Sequence, residues 1–361
     1  MSSSRSLNRF QAGLARRVMW HVPLQWRLRL AGRRPFHLDG LTLDPDLQLA
    51  LAVRARSAPP VMGVVPLEVL RARTHNDALM AAGPPIPVAR VSPLTVPGPE
   101  GRLAARHYIP PVVNRAGPRP LLLFFHGGGF VFGDLDTHDG MCRLLCRYAN
   151  VHVVSVAYRL APEHPFPAAV EDVWASWQWA VSSASWLGAD PSRVAIGGDS
   201  AGAHLSTVVS QLAAASDGAV PAPALQMLLY PPIDRLGVYA SLELFAEGLF
   251  LTKTEIDFFE QQYVGLIDDD PTDARRHPLS AKDLSGLAPA LVVTGGFDPL
   301  RDEGEAYAAA LAEAGTPVVL RRFPNLIHAF ANMIGVSQAA RAAMIEVAHR
   351  VAVMLTPPPR A

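Results

Sequence analysis

The stretch "RVAIGGDSAGAHLSTVVSQLAAA", residues 193–215, decides how the rest of the chain is read. "RVAI" is a short apolar run of β type, and "AHLSTVVSQLAAA" has the composition and spacing of a helix. Between them Gly198 and Gly202 each stand two residues from Ser200. A serine on so sharp a strand-to-helix turn presents its hydroxyl above a sheet. Side chains at the flanking glycines would collide with neighbouring backbone. Taken alone, the pattern is equally that of a tight turn with an idle serine. It needs partners to mean more.

The surrounding chain supplies a frame. Apolar β-type runs at 121–125, 151–158, 193–196, 225–230, 290–294 and 318–323 are separated by helical stretches. Continuous apolar strands alternating with helices predict an α/β fold whose mostly parallel central sheet is flanked by helices on both faces. "ARVSPLTV" and "GRLAARHYI", joined by "PGPE", predict an antiparallel hairpin ahead of it. Val170, Val173, Trp174, Trp177 and Val181 form one helical stripe. Residues 235–275 break the rhythm as an insertion, where Thr252 and Glu255 have the spacing of a capping box.

A serine hydroxyl is a weak nucleophile and requires a base, which in turn requires an orienting acid. Both follow later in the chain at predicted strand ends, Asp298 in "ALVVTGGFDPLRDEG" and His328 in "VVLRRFPNLIHAF". Asp302 and Glu303 are rival acids, ranked below Asp298 because it leaves the strand first. Backbone donors for a developing oxyanion belong after an early strand. His126-Gly127-Gly128-Gly129 directly follows "LLLFF". Spacing does not decide which two of these glycines donate. The loop lacks the G-x-x-x-x-G-K-[ST] and G-x-G-x-x-G patterns of phosphate cradles, so a nucleotide site is a poor reading.

Taken together, "HGGGF" (126–130), "YRLAPEHPFPAAVED" (158–172), "GDSAG" (198–202), "DPLRDEG" (298–304) and "IHAF" (327–330) resemble the bacterial hormone-sensitive lipase-like esterases. These have the α/β-hydrolase fold, and the GDSAG branch is the one matched. The resemblance implies Ser200 as nucleophile, His328 as base and Asp298 as acid. It also implies an oxyanion hole of the Gly128, Gly129 and Ala201 amides, and no cofactor or metal. Phe130, Phe132 and Phe330 are expected to wall an acyl pocket. His126 is expected to shape its loop, Tyr158, Glu163 and Glu171 to act as scaffold, and His138 and Asp139 to pack loop against helix. The implied activity is hydrolysis of short- to medium-chain carboxylic esters. The same triad admits amide, lactone or formamide hydrolysis. A non-catalytic ligand-binding relative would be expected to lack the nucleophile or base, and both are here.

"LDPDLQLAL" from Leu43 looks like the start of the family's cap, so residues 43–88 are read as a helical cap segment. Residues 89–361 are then the catalytic core, with 235–275 contributing to the cap. Residues 1–42 are a basic extension without a counterpart. No acidic residue precedes Asp39, while Arg5, Arg9, Arg16, Arg17, Arg27, Arg29, Arg33 and Arg34 are all cationic. A weak membrane-surface contact is one reading of it, and a helix laid on the protein's own body is the preferred one.

The 361 residues are 50% hydrophobic and 18% charged, with no net formal charge. That balance points away from nucleic acid. Cys142 and Cys146 are read as reduced core thiols, and no apolar run approaches the ~18 residues of a membrane span. A cytoplasmic enzyme acting on small molecules is expected. "VVLRRF" at a sheet edge could pair two copies into a homodimer.

Overall fold

The computed structural model describes residues 24–32, 34–57, 62–111, 117–265 and 270–356, without the side chains of Leu24, Gln25 and Leu28. The basic residues before position 24 lie outside it. The large sheet is built from β1 (Arg90–Gly98), β2 (Gly101–Ile109), β3 (Arg119–Phe125), β4 (His152–Val156), β5 (Ala189–Asp199), β6 (Gln226–Leu229), β7 (Ala290–Phe297) and β8 (Val318–Ile327). Their spatial order is β8-β7-β6-β5-β3-β4-β2-β1. All pairs from β8 to β4 are parallel, and the β4-β2 and β2-β1 pairs are antiparallel.

The helices are α1 (Leu24–Leu30), α2 (Pro45–Arg56), α3 (Leu67–Ala82), α4 (Asp139–Ala149), α5 (Ala168–Ser183), α6 (Ala201–Ala214), α7 (Ala240–Leu244), α8 (Lys253–Val264), α9 (Arg301–Glu313) and α10 (Gln338–Met354). Strand alternation distributes them over two faces. Leu122 and Phe124 of β3 join α4 and α10 on one face. Leu121, Leu123 and Phe125 meet α5 and α6 on the other. The expected stripe on α5 is turned inward through Val170, Val173 and Trp177. Burying side chains of this size stabilises by about 1.5–3 kcal/mol each.

Two expectations shift at their edges. β8 continues four residues beyond Phe323, through Pro324, with its register against β7 interrupted between Phe323 and Ile327. The strand tolerates a proline because it is the outermost one, and an edge strand has a side without a partner to lose. β5 begins four residues before Arg193. The predicted capping box opens α8, with Thr252 and Glu255 satisfying each other's backbone amides.

Cys142 and Cys146 are buried free thiols on α4, and burial pushes the Cys146 thiol up to about 12. Among the described residues no cluster of His, Cys, Asp or Glu is arranged to hold a metal ion. Among them, too, no helix is long and apolar enough to cross a membrane.

Candidate functional site

β5 runs straight into α6, and Ser200 occupies the corner with φ 50° and ψ −120°. A non-glycine residue in such a conformation costs about 1–3 kcal/mol, so its surroundings must enforce it. They do so by close approach. A Cβ on Gly202 would lie 1.9 Å from the Phe125 carbonyl oxygen, and one on Gly198 would lie 2.4 Å from the Gly202 backbone. The Ser200 amide donates to the Leu229 carbonyl at 2.8 Å, fixing the corner against the end of β6.

His328 stands one residue beyond β8 and Asp298 one residue beyond β7. His328 Nε2 lies 3.1 Å from Ser200 Oγ, and Nδ1 lies 2.8 Å from Asp298 Oδ2. A carboxylate only accepts, so Nδ1 carries the ring proton and Nε2 is left to accept from the serine hydroxyl. Asp298 Oδ1 accepts the Leu300 amide at 2.8 Å, which orients the carboxylate. The rival acids are used elsewhere. Asp302 accepts from Arg301 and from the Ser241 amide, and Glu303 accepts from the Asp234 amide.

The glycine loop after β3 separates its own amides. Gly127 donates to Asp199 Oδ1 at 2.9 Å. Among the described residues the amides of Gly128, Gly129 and Ala201 have no partner, Ala201 being the first residue of α6. A helix N-terminus favours negative charge in front of it. His126 is committed to the loop itself. Its Nδ1 donates to the Gly127 carbonyl at 2.9 Å, and its ring stacks on Tyr158, 4.4 Å between centroids. Burial, then the neighbouring His138, push its pKa down to about 4.

Asp199, which the sequence marks only as part of the GDSAG motif, belongs to a buried network. Besides the Gly127 amide, its carboxylate meets His138 Nε2 at 3.2 Å, Asn332 Nδ2 at 3.2 Å and the Tyr230 hydroxyl at 3.4 Å. Burial works against its charge. The charge and hydrogen bond of His138 and the Gly127 amide outweigh that and hold the carboxyl below its ordinary range.

The serine opens into a cavity of about 820 Å³. Phe130 and Phe132 line it, joined by Leu49 and Val53 of α2, Met80 of α3, and Phe250 and Phe259. Phe330 does not. It lies in the short turn Phe330–Asn332 after Ala329, whose φ is 58°. That turn swings its ring into the core between Tyr230 and Phe323 and leaves Asn332 facing the cavity. Glu163 receives a bidentate pair from Arg71 of α3 at 2.6 and 2.7 Å. That pairing lowers its pKa to about 2. Glu171 forms a surface pair with Arg159.

A family profile described as the alpha/beta hydrolase fold matches residues 122–332. The carboxylic ester hydrolase LipN of Mycobacterium tuberculosis is 50% identical over 327 residues, covering 88% of this chain and 84% of that protein. The ethyl acetate hydrolase of Pseudomonas putida is 37% identical over 314 residues, covering 85% and 98%. Among solved structures, an ester-hydrolase named EH1AB1 from the metagenome of Lake Arreo superposes with a TM-score of 0.81 at 40% identity. It covers 86% of this chain and 98% of its own. With the profile spanning more than half of the sequence and its motifs in the arrangement described, the chain belongs to the hormone-sensitive lipase-like esterases of the α/β-hydrolase fold.

Proposed function

We propose that the chain is a serine carboxylesterase that hydrolyses short- to medium-chain acyl esters of small molecules through Ser200, His328 and Asp298. The observation that carries this reading is the hydrogen-bonded run from Ser200 Oγ through His328 to Asp298, beside the partnerless amides of Gly128, Gly129 and Ala201.

Ser200 Oγ attacks the ester carbonyl carbon while His328 Nε2 takes its proton. Asp298 holds the resulting imidazolium through Nδ1. The carbonyl oxygen, now negative, accepts the amides of Gly128, Gly129 and Ala201, with Gly127 held back by Asp199. Collapse breaks the bond to the alcohol oxygen, which leaves with the proton from His328. A water deprotonated by the same nitrogen attacks the acyl-serine. The serine oxygen departs with that proton, and the acid is released.

In the same proposal α2, α3 and the 235–275 insertion form the cap, and Phe130 and Phe132 stand at the acyl pocket. A cavity of about 820 Å³ suits a small molecule. Pairing of two β8 edges into a homodimer is a further part, supported by the marginal place of β8 in the sheet and testable by sedimentation.

The test is a series of p-nitrophenyl esters from acetate to palmitate, wild type beside Ser200→Ala. A rate peak at short or medium chains that vanishes in the variant is expected. Hydrolysis that survives Ser200→Ala would refute the nucleophile, and rates climbing through to palmitate would refute the chain-length limit.

A further inference from the structure

The residues around the cavity sort by exposure. Asp199 and His328 at its floor are buried, whereas Val53 of α2 and Met80 of α3 are more than half exposed and mark the open rim. One ion pair bridges that rim. Arg54 Nη2 on α2 lies 3.3 Å from Glu255 Oε1 on α8. Among the described residues it is the only hydrogen bond or ion pair that joins these two helices.

Both arms are held in place. Glu255 Oε2 accepts the Thr252 amide at 2.9 Å and the Thr252 hydroxyl at 3.0 Å, and the Glu255 amide donates back to that hydroxyl oxygen. The capping box therefore aims the remaining oxygen, Oε1, outward from the start of α8. The Arg54 guanidinium lies over the Phe250 ring, 4.9 Å from its centroid, and Phe250 itself lines the cavity. The elements behind the arms are anchored too. Arg73 of α3 donates to Ser57 at the end of α2 at 3.0 Å. α3 is tied to the core by Arg71–Glu163 and His75–Asp134, and α8 is tied by Arg276–Glu260. The gap between α2 and α8 is thus spanned by two side chains on fixed supports.

We infer that the Arg54–Glu255 pair sets the size of ester that the cavity admits. Joined, the two side chains narrow the rim and favour short acyl chains; parted, they open a path for longer apolar ones. This rests on the esterase reading of the site given above. The pair is half-buried, so it responds to ionic strength as a partly solvated pair does.

The experiment measures kcat/KM for p-nitrophenyl decanoate relative to acetate in wild type, Arg54→Gln, Glu255→Gln and the double variant, at low and high salt. Glutamine at 255 still serves a capping box, so α8 keeps its N-terminus. Each single variant is expected to raise the decanoate-to-acetate ratio about three-fold, the scale of a partly solvated ion pair. The double variant should go no further, because the two changes remove one interaction. High salt should lift the ratio in wild type and leave it flat in the variants. A ratio that is unchanged or lower, or two single effects that simply add, would overturn the inference. The salt series on wild type decides it even where a variant folds poorly. Ser200→Ala run alongside keeps the two readings apart. If it is dead while the ratios stay flat, the rim pair fails and the site stands; if it hydrolyses like wild type, the site assignment itself fails.

Discussion

Replacing Asp199 by asparagine tests whether the glycine loop after β3 is held from the strand that carries Ser200, as the proposed oxyanion hole requires. The change keeps the shape and removes the charge and one acceptor. In the structure four groups converge on that carboxylate: the Gly127 amide, His138 Nε2, Asn332 Nδ2 and the Tyr230 hydroxyl. An asparagine can accept through one oxygen only. If that oxygen keeps Gly127, its NH2 faces Asn332 and Tyr230. The tyrosine hydroxyl can turn to accept. Asn332 can present its oxygen only by flipping, which gives up the bond its NH2 makes to the carboxylate at 3.2 Å. At least one bond to a charged acceptor is therefore lost inside a closed site, a destabilisation of about 1.5–3 kcal/mol. Where the loop relaxes, the Gly128 and Gly129 amides leave their aim. Removing one such donor outright costs about 10²–10³ in rate, so a displaced pair should cost about 10–100-fold in kcat/KM. The assay is hydrolysis of p-nitrophenyl butyrate, with thermal unfolding on the same preparation. An asparagine variant as fast as wild type would show that Gly127 needs no anchor and that the reasoning is wrong.

Other outcomes follow from burial. Burial pushes the pKa of His126 and of His107, which faces His152 at 2.9 Å, from 6.5 down to about 4. The unfolded chain then takes up protons below about pH 6.5 that the fold refuses until about pH 4, so stability falls as pH drops through that window. Each group contributes about 1.4 kcal/mol per pH unit at most. A melting temperature unchanged between pH 7 and pH 5 would contradict it. Burial pushes Glu303 up to about 8, above its unfolded value of 4.5. Its cost is absent below about pH 4.5 and grows as pH rises through 8, so Glu303→Gln should stabilise the fold by about 3 kcal/mol at neutral pH. A lower melting temperature in that variant would refute the sign. Phe330→Leu should cost about 1–2 kcal/mol of stability as a core truncation and leave the acyl-length profile alone. A shifted profile would return Phe330 to the pocket.

The parts of the site that the sequence announces are those whose constraint is local. Gly198 and Gly202 are required within five residues of chain, because their Cβ positions are occupied by backbone. Asp298 could be ranked above neighbouring acids, and His328 singled out, because each stands just outside a β-type run, where a parallel sheet presents its loops. Asn332 and His138 carry no such mark. Asn332 lies 133 positions from Asp199, and nothing near it distinguishes it from any loop asparagine. Phe330 misled for the converse reason. Its motif places it two residues past His328, but Ala329 in a left-handed conformation reverses the side that the ring faces.

The boundary drawn at residue 42 shows what a linear reading divides. Phe36 lies against Phe297, with centroids 6.0 Å apart, one residue before Asp298. Asp39 pairs with the buried Arg301 at 2.9 Å, and Arg301 also reaches the Gly296 carbonyl at the end of β7. The Asp44 amide donates to the Asn325 carbonyl in β8, three residues before His328. Residues 36–44 thus touch the strands that lead into Asp298 and His328. The partners of Asp39 and Asp44 stand more than 260 residues later, so neither periodicity nor composition could reveal them. A basic extension with no familiar motif reads as an appendage. Its last few residues behave as a brace, because a charge pair and a ring contact from them, with a backbone bond from Asp44 just past the boundary, converge on the strand ends that carry Asp298 and His328.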